Sequence, residues 1–146
     1  MTLIDRFQNK AVLTEALLAQ AIVQGDRDVA AALAGAGQIV EFAAGEVLIH
    51  EDATDRDMYF LLFGKVGVSV KGKFLYPREK NAAVGEMSAV NPLITRSATI
   101  TAMEATVALK VSQETLDQIA TVQPRMYRLI AAELASRLLQ RNSLIR

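Results

Sequence analysis

The residues best placed to handle a ligand fall in one segment, Gly85-Glu86-Met87-Ser88-Ala89-Val90-Asn91-Pro92-Leu93-Ile94-Thr95-Arg96-Ser97-Ala98-Thr99. Glycine at 85 permits a backbone conformation, or a close ligand approach, that a side chain would block. Pro92 disfavours the helical region at Asn91, so any helix here is limited to about one turn. The exposed N–H groups at the start of such a turn attract a phosphate. Arg96 adds a planar, permanently charged fork, and Ser97 a hydroxyl. Glu86 would repel a phosphate, but it suits an adjoining ribose, accepting a hydrogen bond from the 2′-hydroxyl as acidic residues do in dinucleotide sites. The segment therefore reads as a site for sugar plus phosphate. A plainer reading is that Glu86 and Arg96 form a salt bridge with each other in an ordinary loop.

Short β-like runs must position this segment. They cover 39–42, 47–50, 58–63, 66–70, 74–76, 97–102 and 105–111, with turn signals at Ala44-Gly45, Gly64, Lys71-Gly72 and Arg78-Glu79-Lys80-Asn81. Seven or eight such strands indicate a roll or barrel. Before them, helical spacing of apolar residues predicts helices over 11–23 and 28–34, the latter ended by Gly35 and Gly37. After them, Ser112 is placed to cap a helix over 113–120, and Pro124 to open the last helix at its first position. Tyr127, Ile130, Ala131, Leu134 and Leu138 form one stripe of that helix, and Glu133 and Arg137 are spaced for an ion pair.

Composition excludes several classes. With 146 residues, 51% of them hydrophobic, the chain can bury a core as one domain. It has no cysteine, which removes disulfides, iron–sulfur ligation and thiol nucleophiles. His50, the sole histidine, has no partners for a metal or acid–base site and reads as structural. That absence also excludes a cupin-type metal enzyme. Lysine plus arginine equals aspartate plus glutamate at 16 each, so no global field draws nucleic acid or an anionic membrane, and an anion site must be local. The N-terminus lacks a signal-peptide pattern, and the most apolar window, 29–40, is too short to span a bilayer. A cytoplasmic protein is expected.

The 85–99 segment resembles the phosphate-binding cassette of cyclic-nucleotide-binding domains, as in the bacterial catabolite activator and kinase regulatory subunits. Residues 42–48 (FAAGEVL) and 57–66 (DMYFLLFGKV) resemble the family's early strands and turn glycines. The resemblance implies an α+β, mainly β fold: an eight-stranded antiparallel β-roll of jelly-roll type with N-terminal helices over 1–37. The roll would cover 38–112 and hold the cassette at 84–98 with its short helix. C-terminal helices over 113–146 would include one that closes over the base. It also implies that Glu86 holds the ribose and that Arg96 and Ser97 hold the phosphate, with Gly85, Met87, Ser88 and Ala98 lining the site. No cofactor is implied beyond the ligand, and no catalysis. Val84, Asn81 and Ser88 depart from common family residues, but none removes a ligand-contacting group, and asparagine tolerates a left-handed turn.

The family's habit of placing base contacts near the end of the closing helix points to Arg141 and Asn142. Arginine offers only donors and so favours carbonyl-bearing bases, which makes cAMP a poor ligand. The chain as a whole, including 131–142, resembles the sensor half of bacterial anti-phage effectors in which a cyclic-pyrimidine-responsive domain precedes a TIR domain. That implies cUMP first, then cCMP, cGMP or cAMP, and a separate NAD-degrading segment. The alternatives are a cAMP- or cGMP-binding module of a transcription factor, channel or kinase-type protein, and a ligand-free dimerisation module. A homodimer through the last helix is expected, with no nucleic-acid or membrane partner.

Overall fold

The computed structural model describes residues 2–145, with side chains through Arg141, so the side chain expected of Asn142 lies outside the described residues. Three helices open the chain: α1 (Leu3–Phe7), α2 (Lys10–Leu18) and α3 (Arg27–Ala36). Eight strands follow: β1 (Gln38–Phe42), β2 (Val47–Ile49), β3 (Met58–Phe63), β4 (Lys65–Val70), β5 (Lys73–Glu79), β6 (Ala83–Val84), β7 (Thr99–Ala102) and β8 (Thr106–Val111). A short helix α4 (Glu86–Val90) is inserted between β6 and β7, and α5 (Gln113–Val122) and α6 (Arg125–Ile145) come last. The strands pair antiparallel in two sheets, ordered β1-β8-β3-β6 and β2-β7-β4-β5. This is the expected mainly β roll with flanking helices.

Strand β3 shows why the roll forms. Met58, Phe60 and Leu62 join a core with α1, α2, α3, α5 and α6, while Tyr59 and Leu61 join a second core with Ile49, Val66, Val68 and Ile100 inside the roll. Period-two alternation sends successive side chains to opposite faces, and both faces are covered. That is why the strand reads as an unbroken apolar run. Strand β8 divides likewise, with Val107, Leu109 and Val111 toward the helices and Ala108 inward.

Several boundaries differ from expectation. The helix expected over 11–23 ends at Leu18 because buried Gln20 donates Nε2 to the Leu61 carbonyl at 2.8 Å, and Gln24 and Gly25 adopt φ of 54° and 75°. Helix α1 has only five residues and so carries no periodic signal in the sequence; Thr2 and Asp5 start it with a reciprocal capping box. Strand β5 runs through the expected turn to Glu79. It lies at a sheet edge, where Pro77 is tolerated. The turn falls at Asn81, whose φ is 74°, the left-handed value anticipated for asparagine. Strand β7 begins at Thr99, leaving Ser97 and Ala98 before it, and α6 begins one residue after Pro124. His50 is exposed just past β2. No helix among the described residues is long and apolar enough to cross a membrane.

Candidate ligand-binding site

Strand β6 delivers the chain to Gly85, where φ is 87°. A Cβ there would lie 2.6 Å from the Asp57 carbonyl oxygen and 2.8 Å from Arg96 Nη1, so both conformation and space require glycine. Helix α4 starts at once, with no side chain capping its N-terminus, and stops where Asn91 turns extended ahead of Pro92. Arg56, from the β2–β3 loop, donates to the carbonyls of Ser88 (3.3 Å), Asn91 (3.3 Å) and Pro92 (2.5 Å). A cation on these last carbonyls satisfies them and complements the helix dipole.

Glu86 and Arg96 do not pair with each other; the plainer sequence reading is set aside. Arg96 is 2% exposed and donates Nη1 to the Gly85 carbonyl (3.1 Å), and Nη2 to Asp55 Oδ2 (2.7 Å) and the Asp57 carbonyl (2.6 Å). The hydrogen bond from Arg96 holds the Asp55 carboxyl below its ordinary range, against partial burial. The guanidinium fork is thus engaged by the protein through both terminal nitrogens. Its Nε has no partner among the described residues. Glu86 is 5% exposed. Its Oε1 accepts from Arg137 Nη1 on α6, and its Oε2 is likewise without a partner. Arg137 also donates Nε to Glu133 at 3.3 Å, the i,i+4 pair expected from spacing.

Glu86, Arg96 and Arg137 line one cavity of about 1160 Å³. Gly85, Glu86, Met87, Ser88, Arg96, Ser97 and Ala98 contribute from the cassette, Val68, Tyr76 and Arg78 from the sheet, and Leu134, Arg137 and Arg141 from α6. Met87 and Ser97 are exposed, whereas Ser88 is buried. All the expected site residues with described side chains meet here. A family model described as "Cyclic nucleotide-binding domain" matches residues 39–122. The chain belongs to this family.

This cyclic nucleotide-binding domain is 41% identical, over 98% of its length, to the Pycsar effector protein PaPycTIR of Pseudomonas aeruginosa, covering 47% of that protein. It is 35% identical, again over 98% of its length, to BcPycTIR of Burkholderia cepacia, covering 48% of it. The chain thus spans about half the length of the curated relatives it matches. In fold it is similar to the catabolite activator protein of Thermus thermophilus, with a TM-score of 0.76 at 23% identity, covering 86% of this chain and 62% of that one.

Sequence reasoning missed Asp55, Arg56, Tyr76 and Arg78 as site neighbours, and gave Arg137 only its helical partner. Asp55 and Arg56 reach the cassette from a loop 32 to 41 residues earlier in the chain, a distance no local pattern encodes. Tyr76 and Arg78 were legible only as a strand end and a turn.

Proposed function

We propose that this domain binds a 3′,5′-cyclic nucleoside monophosphate in the cavity, cUMP ahead of cCMP, with cGMP or cAMP after them, and leaves it chemically unchanged. The observation that carries this reading is a pair of buried atoms without a partner among the described residues, a donor on Arg96 and an acceptor on Glu86, on two residues that line one cavity. Buried polar groups are normally satisfied. A phosphate oxygen accepts from the first, a ribose hydroxyl donates to the second, and Ser97 and the amides of α4 surround the phosphate.

In this reading α6 closes over the base, with Arg141 and Asn142 at its far end, and a homodimer forms through the same helix. The relatives' names describe effectors and carry the letters TIR, which supports a sensor role in a larger cytoplasmic effector. Its NAD-degrading part would correspond to the half of the relatives not spanned here. A thermal-shift series with the four cyclic nucleotides tests the binding. A ligand at about 100 times its Kd stabilises by about 2.7 kcal/mol, a shift of several degrees in a domain of this size. The largest shift is expected with cUMP and the smallest with cAMP; no shift with any of them would remove the reading.

A further inference from the structure

We infer that Arg56 is a positioning residue of the site: it ties α4, which carries Glu86, to the β2–β3 loop that holds Arg96, and so fixes the spacing of the ribose and phosphate contacts. The inference rests on the cyclic-nucleotide reading above and assigns to that loop the control of the site's ribose contact.

The loop first fixes Arg96. The Asp52 amide donates to the Arg96 carbonyl at 2.8 Å, and the Arg96 amide donates to the Ala53 carbonyl at 2.9 Å. Asp55 Oδ2 and the Asp57 carbonyl accept from the side chain, so residues 52–57 set both the backbone and the guanidinium. Arg56 stands between those last two acceptors, yet its own side chain reaches the opposite end of the cassette helix. It donates Nη1 to the Ser88 and Asn91 carbonyls and Nη2 to the Pro92 carbonyl. Among the described residues no carboxylate pairs with Arg56, and these three carbonyls are its acceptors.

Helix α4 needs such a tie. It has five residues, and isolated helices shorter than about 12–15 residues do not hold themselves in water. Arg96 fixes only its front, through the Gly85 carbonyl at 3.1 Å. One directional attachment leaves the turn free to pivot, and Glu86 would pivot with it. Ala89 is buried in the helix-backed core, but a methyl group gives no directional hold. Arg137 meets Glu86 from α6, which lies outside the roll. Arg56 supplies the second directional attachment, a planar fork on the carbonyls at the far end of the turn. Glu86 Oε2 and Arg96 Nε, the two buried atoms without a described partner, thereby keep a fixed separation. In a 3′,5′-cyclic nucleotide the phosphate is fused to the ribose, so the ligand's own spacing is rigid. A displaced Glu86 therefore cannot meet the 2′-hydroxyl while Arg96 holds the phosphate, and the benefit of a preorganised site is lost.

The test is calorimetric titration of cUMP and 2′-deoxy-cUMP into the wild-type chain, Arg56→Met and Arg56→Lys, with the unfolding temperatures of the ligand-free proteins measured beside it. The wild type is expected to prefer cUMP about tenfold or more, the scale of a hydrogen bond to a charged group. Arg56→Met keeps the aliphatic bulk without a donor. It should bind cUMP about tenfold more weakly and retain a preference for the ribo sugar of only about two- to threefold. Arg56→Lys keeps a donating cation without the fork and should fall between the two on both counts. A purely structural role would lower the unfolding temperature or weaken both nucleotides by the same factor, leaving their ratio alone. An unchanged ribose preference in Arg56→Met, or in Arg56→Lys where the first variant does not fold, overturns the assignment. Equal binding of both sugars by the wild type overturns it too, since no Glu86 contact is then left to position, while the nucleotide site stands. Failure of the wild-type chain to bind any cyclic nucleotide overturns the functional reading as well.

Discussion

Glu86 and Arg96 line the same cavity, yet each is held in place by a different part of the chain. Asp55 and the Asp57 carbonyl steer Arg96 from the β2–β3 loop, and Arg137 meets Glu86 from α6. The candidate pair was legible in the sequence because the two residues are joined by one short cassette. Their partners were not, because Arg137 stands 51 residues from Glu86 and its visible relation was the helical spacing to Glu133. If Glu86 accepts a ribose hydroxyl through Oε2, 2′-deoxy-cUMP should bind more weakly than cUMP by about 1.5–3 kcal/mol, the value of a hydrogen bond to a charged group. Competition titration of the two nucleotides measures this difference, and Glu86→Ala should erase it. Equal affinity of both sugars for the wild-type chain would give Glu86 a structural role beside Arg137.

At the scale of elements, those with their own local signature were readable. Ser112 caps α5 through the Thr115 amide at 3.1 Å, as its position before an apolar-periodic run predicts. Strand β6, with two residues, has no period of its own and exists because Tyr59 and Phe60 pair with it. The joint between α5 and α6 combines local and tertiary causes. Tyr127 on α6 donates its hydroxyl to Asp117 Oδ1 on α5, and burial, then that hydrogen bond, push its pKa up to about 12 from 10.0. A pKa raised on folding gives stability that is fully present below the unfolded value and is lost as pH rises through the folded one. Chemical denaturation from pH 9 upward should therefore show a loss of stability between about pH 10 and pH 12 that is smaller in Tyr127→Phe. The difference between the two proteins carries the result. Identical slopes would mean that Tyr127 does not hold the joint when the hydroxyl is protonated.

For the whole molecule, the fold class was legible because three stretches occur in order and at workable spacing, residues 42–48, 57–66 and 85–99, each punctuated by a glycine. The roll uses one sheet, β1-β8-β3-β6, as a partition between the helix-backed core and the interior that continues toward the cavity. The full lining of the cavity could not be read from sequence, since it comes from six separated stretches between Ile49 and Arg141. With formal charge balanced over the chain, attraction for an anion depends on this local assembly of arginines. Isothermal titration of cUMP into the wild-type chain, Arg96→Lys and Arg96→Ala tests the central claim most directly. The lysine variant keeps a cation beside Asp55 but lacks the planar guanidinium. The wild type is expected to bind one nucleotide per chain, the lysine variant more weakly, and the alanine variant with a loss of about 2–5 kcal/mol, tens to thousands in affinity. Wild-type affinity retained by Arg96→Ala would contradict the account.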